Sequence, residues 1–217
     1  KKGVEYFEKV VGQSNIYFQY YKGLSYKASG DLDPLEIQRI VRKTAGIYDP
    51  INGGFGEEPK FPSCSVIRLV LDSYRTTGEA FYRIIAEKTL TQMAAGSLRD
   101  SIDGGFFRFC NFDNWTEAQH EKMLEDNIGL AGIYMDAWML LEDESYKAVA
   151  NETLDYIIHN LYDPDYKGFR GSQGAHSEYY NLGRRERIDQ PTPSIDPSCY
   201  VDRSAQAASL LFKAYWV

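Results

Sequence analysis

The sequence predicts an all-α fold, part of an α/α-hairpin toroid. Three observations predict it. Amphipathic helical windows with start and stop signals recur along most of the chain. A glycine–aromatic loop returns at Phe55, Phe106 and Phe169, about 51 and 63 positions apart, a period that holds two helices and two loops. Hairpin turns between alternating apolar runs are nearly absent. Helical hairpins joined by one loop type curl into a solenoid or a closed ring, because each hairpin buries its apolar face only against its neighbours.

The elements follow in order. Residues 1–30 read as a tyrosine-rich helical lead-in and linker, and 31–217 as the first half or more of the barrel domain. Asp33, Pro34 and Glu36 start a helix whose stripe of Leu35, Ile37, Ile40, Val41 and Ala45 runs to Ile47. Ser63 opens a second helix that Gly78 ends, and a third spans about Glu79 to Ala95. Thr116 with Gln119 makes a capping box for a long helix through Leu141, another covers about Ser145 to Leu161, and Asp196-Pro197 opens the last. The glycines of the loops allow tight turns at positive φ, and the phenylalanines plug the gaps between hairpins. The chain begins and ends abruptly, which reads as a fragment of a longer polypeptide.

Composition narrows the function. The 217 residues suffice for a sizeable core, and 43% hydrophobic with 25% charged residues is the balance of an ordinary folded protein. A net charge of −7 argues against a general affinity for nucleic acid or anionic lipid. The basic cluster Arg184, Arg185 and Arg187 reads as a solvated loop. Cys64, Cys110 and Cys199 lie far apart and outside any CxxC pattern, so the expectation is buried or partly buried thiols, with no metal site and no cofactor. Without a signal peptide or an apolar run near 18 residues long, the expected location is cytoplasmic, off the membrane.

Four ordered stretches carry a family resemblance. They are Gly53-Gly54-Phe55-Gly56-Glu57-Glu58-Pro59-Lys60-Phe61-Pro62, Asp103-Gly104-Gly105-Phe106-Phe107-Arg108-Phe109, Trp115 through Asn127, and Gly168-Phe169 with Ser172-Gln173 and Glu178-Tyr179-Tyr180. Together they resemble the YyaL-like family, thioredoxin-fused α/α-barrel proteins that include spermatogenesis-associated members. The resemblance runs from about Asp31 to the end. It implies a partial (α/α)6 barrel, a fold similar to six-hairpin glycosidases and N-acylglucosamine 2-epimerases, and a thioredoxin-like domain as partner in the full-length chain. Phe107 and Gln119 stand where the family has histidines, and Gly174 and His176 where it has aspartates.

Several residue types suit carbohydrate chemistry in such a barrel. Glu121 is a candidate general acid or base if burial raises its pKa, with Asp126 as a second carboxylate; Glu121 also reads as a helix-capping residue paired with Lys122. Asp126 and Asn127 suit hydrogen bonds to a substrate or between helices. Trp115, Phe107 and Tyr179 are candidate stacking platforms for a sugar ring, and equally candidate closures of the barrel. Lys60 and Arg108 each follow a Gly-Phe loop and suit an anionic group or a loop-to-loop bond. Lys122, Gln173 and the titrating ring of His176 complete the substrate-binding candidates. Two-carboxylate hydrolysis would draw on Asp103, Asp113 and Glu121. The expected function is a carbohydrate-active barrel, epimerase-, isomerase- or glycosidase-like. The alternative is a non-catalytic scaffold or ligand-binding module for a thioredoxin-like domain.

Overall fold

A computed structural model describes residues 34–216, with side chains from Arg39 onward. The lead-in of residues 1–30 and the cap at Asp33 lie outside the described residues. The chain divides into a segment Lys1–Arg39 and a unit Ile40–Val217, and the buried core belongs to the second.

Five long helices carry the fold: α1 (Pro34–Ala45), α2 (Cys64–Thr77), α3 (Ala80–Ala95), α4 (Leu124–Leu141) and α5 (Glu144–Tyr156). After two single-turn helices, α6 (Ser177–Tyr180) and α7 (Arg184–Arg187), a sixth long one, α8 (Val201–Trp216), ends the described chain. Their ends obey local chemistry. Gly78 takes φ 70° and returns its N–H to the Tyr74 carbonyl, stopping α2 as expected. The Asp143 side chain accepts from Ser145 N and starts α5, which closes in a π-helical turn over Ile157–Leu161.

Helices α2 and α3 form one hairpin and α4 and α5 another, while α4 also packs against α2 on one side and α8 on the other. The order α2, α4, α8 is therefore an inner row, with α3 and α5 outside it. This is why α4 is apolar around most of its circumference: Leu130, Ala131, Ile133, Tyr134 and Ala137 are all fully buried. Leu130 and Ile133 each contribute about 1.5–3 kcal/mol of burial. Gly129 lets α2 approach, since a Cβ there would lie 3.1 Å from Cys64 Sγ.

Six two-residue strands tie the connections together: β1 (Phe109–Cys110) with β2 (Ala118–Gln119), β3 (Lys122–Met123) with β6 (Ser172–Gln173), and β4 (Tyr162–Asp163) with β5 (Gly168–Phe169), all antiparallel. They correct two expected helix starts. The long helix begins at Leu124 rather than Thr116, because Trp115 and Glu117 take φ 62° and 54° and the backbone of 118–123 pairs across to β1 and β6. The Thr116 hydroxyl, free of capping duty, donates to Asn114 Oδ1. The last helix begins at Val201 rather than at Asp196-Pro197, since Asp196 N is committed to the Ser172 carbonyl and Ser198 O to Gly171 N. The first helix stops at Ala45, where Gly46 N reaches the Arg42 carbonyl, two residues short of Ile47.

The recurring corner has a common interior. In each, an aspartate precedes the phenylalanine by six positions: Asp49 and Phe55, Asp100 and Phe106, Asp163 and Phe169. One carboxylate oxygen accepts two backbone N–H groups, from Ile51 and Asn52, Ile102 and Asp103, or Asp165 and Tyr166, at 2.8–3.3 Å. The other oxygen holds a cation, namely Lys60 at 2.7 Å, Lys122 at 2.8 Å, or Arg170. The three phenylalanine rings are buried. Residues two before the phenylalanine are left-handed in all three corners: Gly53, Gly104 and, where no glycine is present, Lys167 at φ 52°.

Candidate functional site

The N-terminal halves of α2 and α4 and the length of α8 to Lys213 line a cleft of about 1000 Å³, with Cys64, Arg68, Asp126, Arg203, Gln206 and Lys213 among its residues. Helix α4 packs against both α2 and α8, so side chains of all three helices line one hollow. Asp126 sits in the first turn of α4 and is half-buried. Its carboxyl group is pushed up to about 6: burial is the main cause, the Glu125 and Glu121 charges act the same way, and Arg108 and Arg203 pull against them. No side chain or backbone N–H among the described residues donates a hydrogen bond to it. The other charges of the cleft are paired. Arg203 holds Glu125 at 2.7 Å, while Arg68 and Lys213 both reach Asp136. Cys64 is raised to about 12, by burial first and then by Asp126, so it stays a thiol.

The structure distributes the sequence candidates over three places. Asp126 lines the cleft. Glu121 lies outside the lining, in the extended segment between β2 and β3, and does not begin a helix; its Oε2 accepts from Arg108 Nη1 at 2.8 Å across a solvent-exposed surface. The capping-and-pairing role read for Glu121 and Lys122 is corrected accordingly, since Lys122 pairs with Asp100 instead.

Lys60, Trp115, Lys122, Asn127 and Gln173 lie beneath the corners. Lys60 is fully buried against Asp49. The Trp115 ring is fully buried, its N–H donating to the Asn52 carbonyl, so it presents no face to a ligand. Lys122 is also fully buried; it bonds Asp100 and the Gly104 carbonyl, and its ammonium lies 4.6–5.1 Å from the rings of Phe107, Tyr156 and Tyr180. Asn127 clamps the second corner, accepting from Phe106 N at 2.7 Å and donating to the carbonyls of Phe106 and Met123. Gln173 Oε1 accepts a hydrogen bond from the Tyr156 hydroxyl, and its Nε2 donates to Pro193 O. Phe107 and Tyr179 are buried beside them.

His176 is exposed and, with Ser177, Glu178 and Tyr179, lines a separate cavity of about 730 Å³. Next to it the half-buried His120 packs against Phe107 and Tyr180, with Nδ1 3.2 Å from Ser177 Oγ; burial lowers its pKa and keeps the ring neutral near pH 7.

Two expectations about ordinary surface are corrected. Arg187 is buried rather than solvated, reaching Asp100 at 2.9 Å and Asp103 at 2.7 Å. Cys199 is exposed, whereas Cys110 is buried and raised to about 12 by that burial. Sequence reasoning missed Arg68 and Arg203 in the cleft. Their one available signal is their position near the starts of helices that come after corner loops. Among the described residues no cluster of three His, Cys, Asp or Glu can hold a metal ion, and no helix is long and apolar enough to cross a membrane.

No family profile matches the chain. Its homologues are spermatogenesis-associated protein 20 proteins, in agreement with the YyaL-like motifs. The human protein is 31% identical over 182 residues, which cover 77% of this chain and 23% of the relative, so the chain spans about a quarter of that length. The fold is that of the α/α toroids. A cellobiose 2-epimerase from Spirochaeta thermophila superposes with a TM-score of 0.62 at 17% identity, over 85% of this chain and 51% of that one. A glycoside hydrolase family 76 mannosidase from Bacteroides thetaiotaomicron does so with a TM-score of 0.56 at 18% identity, over 73% and 40%.

Proposed function

From a chain whose homologues are spermatogenesis-associated protein 20 proteins and whose fold neighbours are carbohydrate-active toroids, we propose a sugar-binding acid–base site in the cleft lined by α2, α4 and α8. The observation that carries this reading is Asp126. A carboxyl group raised to about 6 is shared between its acid and base forms near neutral pH, the condition for moving a proton to and from a substrate carbon or oxygen. Arg68, Arg203 and Gln206 supply hydrogen-bond donors for hydroxyl groups around it. Glu121 and Arg108 act from outside through their charges on Asp126 and are positioning residues.

Epimerisation or isomerisation would use Asp126 on the hydrogen next to a carbonyl, and glycoside hydrolysis would use it on the leaving oxygen. The cytoplasm and a thioredoxin-like partner domain belong to the same proposal. A module that binds without turnover is the second reading. It is favoured by the buried Phe107 standing where family members carry a histidine.

The test uses the full-length protein that contains this chain. D-Mannose and cellobiose are incubated in D2O and followed by NMR for exchange of the C2 hydrogen, and aryl glycosides are followed for hydrolysis. Turnover is expected, with Asp126→Asn lowering it about 10²–10⁴-fold. Turnover untouched by the substitution would remove Asp126 from the chemistry. Sugar binding that is equal in both proteins, without turnover, would favour the binding module.

A further inference from the structure

The motif Pro59-Lys60-Phe61-Pro62 contributes a buried lysine to the first corner, and its phenylalanine does something different. Phe61 is 45% exposed, and it is the one aromatic side chain among the described residues lining the cleft that holds Asp126. An exposed ring is ordinarily mobile, but this one is held from three directions. Lys60 on its N-terminal side exchanges two backbone hydrogen bonds with Cys110, at 2.8 and 2.9 Å, and its ammonium is fixed to Asp49. Pro62 on the other side locks its own φ and restricts the backbone of Phe61. The far face of the ring rests on Phe109, with centroids 4.8 Å apart and planes tilted by 32°. The rest of the ring is open to solvent, at the lining of the cleft.

A rigid, backed aromatic face beside a polar hollow matches a pyranose ring, whose axial C–H groups form an apolar face while its hydroxyls project sideways. We propose that Phe61 is the stacking platform of the site, setting a pyranose flat against α2 with its edge toward Asp126, Arg68 and Gln206. The ligand class is a sugar with a continuous C–H face; flat, charged metabolites lacking one are disfavoured. This inference rests on the carbohydrate reading of the cleft and adds to it the surface that orients the sugar. The rings of Trp115, Phe106, Phe107 and Tyr179 are buried and cannot take this part.

The full-length protein is assayed with D-mannose and cellobiose as wild type, Phe61→Ala and Phe61→Trp. A platform binds ground and transition states alike, so Phe61→Ala is expected to raise KM or Kd about tenfold with kcat little changed, and Phe61→Trp to restore affinity. The added tryptophan, read as a difference from wild type, is expected to be accessible to acrylamide in the free protein and shielded by either sugar. An unchanged KM in Phe61→Ala overturns the platform and leaves the carbohydrate reading standing, provided wild type still turns over. A tryptophan already shielded without sugar means that protein covers the ring, and also overturns it. If wild type neither binds nor converts either sugar, the carbohydrate reading falls and the platform with it.

Discussion

Two aspartates, Asp100 in the second corner and Asp126 in the cleft, are both largely removed from water, yet they are driven in opposite directions. For Asp100, burial alone would raise the pKa, but the Lys122 charge and hydrogen bond, the Ile102 N–H and Arg187 outweigh it and hold the carboxyl below its usual 3.8. For Asp126 burial wins, because no donor offsets it, and the group rises to about 6. The contrast separates two uses of buried charge. A carboxylate saturated with donors is a fixed part of the fold, whereas one left without them keeps an exchangeable proton.

The comparison breaks most visibly at the corners. Asp100→Ala leaves Lys122 buried without a counter-charge and Arg187 with Asp103 alone, and the expected loss is about 3–5 kcal/mol in urea unfolding. A loss below about 1 kcal/mol would mean the corner is not a closed charge network.

Gly105→Ala comes next. Its backbone is at φ 75° and an added Cβ would lie 2.5 Å from Tyr156 Cδ1, so strain and overpacking combine to about 2–4 kcal/mol. Gly56→Ala, at φ 79° but with nothing within 4 Å, isolates the backbone share, about 1 kcal/mol.

The cleft is expected to respond with the opposite sign. Asp126 has a folded pKa above its unfolded value, so its favourable contribution is complete below about pH 4 and is lost as pH rises through about 6. Asp126→Asn should therefore stabilise the protein by about 1–2 kcal/mol at pH 8, an effect that shrinks toward pH 4, while lowering the proposed turnover. Asp100, with a lowered pKa, contributes stability that is present above the ordinary carboxylate range and is lost as pH falls below it. The smallest effect belongs to the third corner, where Lys167→Gly relieves a left-handed lysine and is expected to gain about 0.5–1 kcal/mol in thermal unfolding.

The sequence carried the architecture because it is written in local signals. Gly78 ends α2 where a C-cap glycine should, and Phe55, Phe106 and Phe169 mark three corners whose rings are all buried. What it concealed is non-local. The Thr116–Gln119 pattern is a good capping box, yet pairing of Ala118–Gln119 with β1 and Lys122–Met123 with β6 overrides it until Leu124. Arg187 reads as one of three surface arginines, and only the return of the chain across 87 positions brings it to Asp100.

The candidate site was legible in the same uneven way. Aromatic and charged residues near a loop look alike whether they plug a corner or face a hollow. Trp115, Lys60 and Lys122 prove buried, while Asp126, named as the second carboxylate, lines the cleft. Arg68 and Phe61 stand there for a reason invisible in one dimension, the side-by-side alignment of the inner helices.

The most direct measurement is a carbon-13 NMR titration of the aspartate carboxyl groups, with Asp126 and Asp100 assigned by substitution. One resonance is expected to titrate near pH 6 and vanish in Asp126→Asn, with the Asp100 midpoint below the ordinary carboxylate value. An Asp126 midpoint at or below the ordinary 3.8 would contradict the division between corner and cleft.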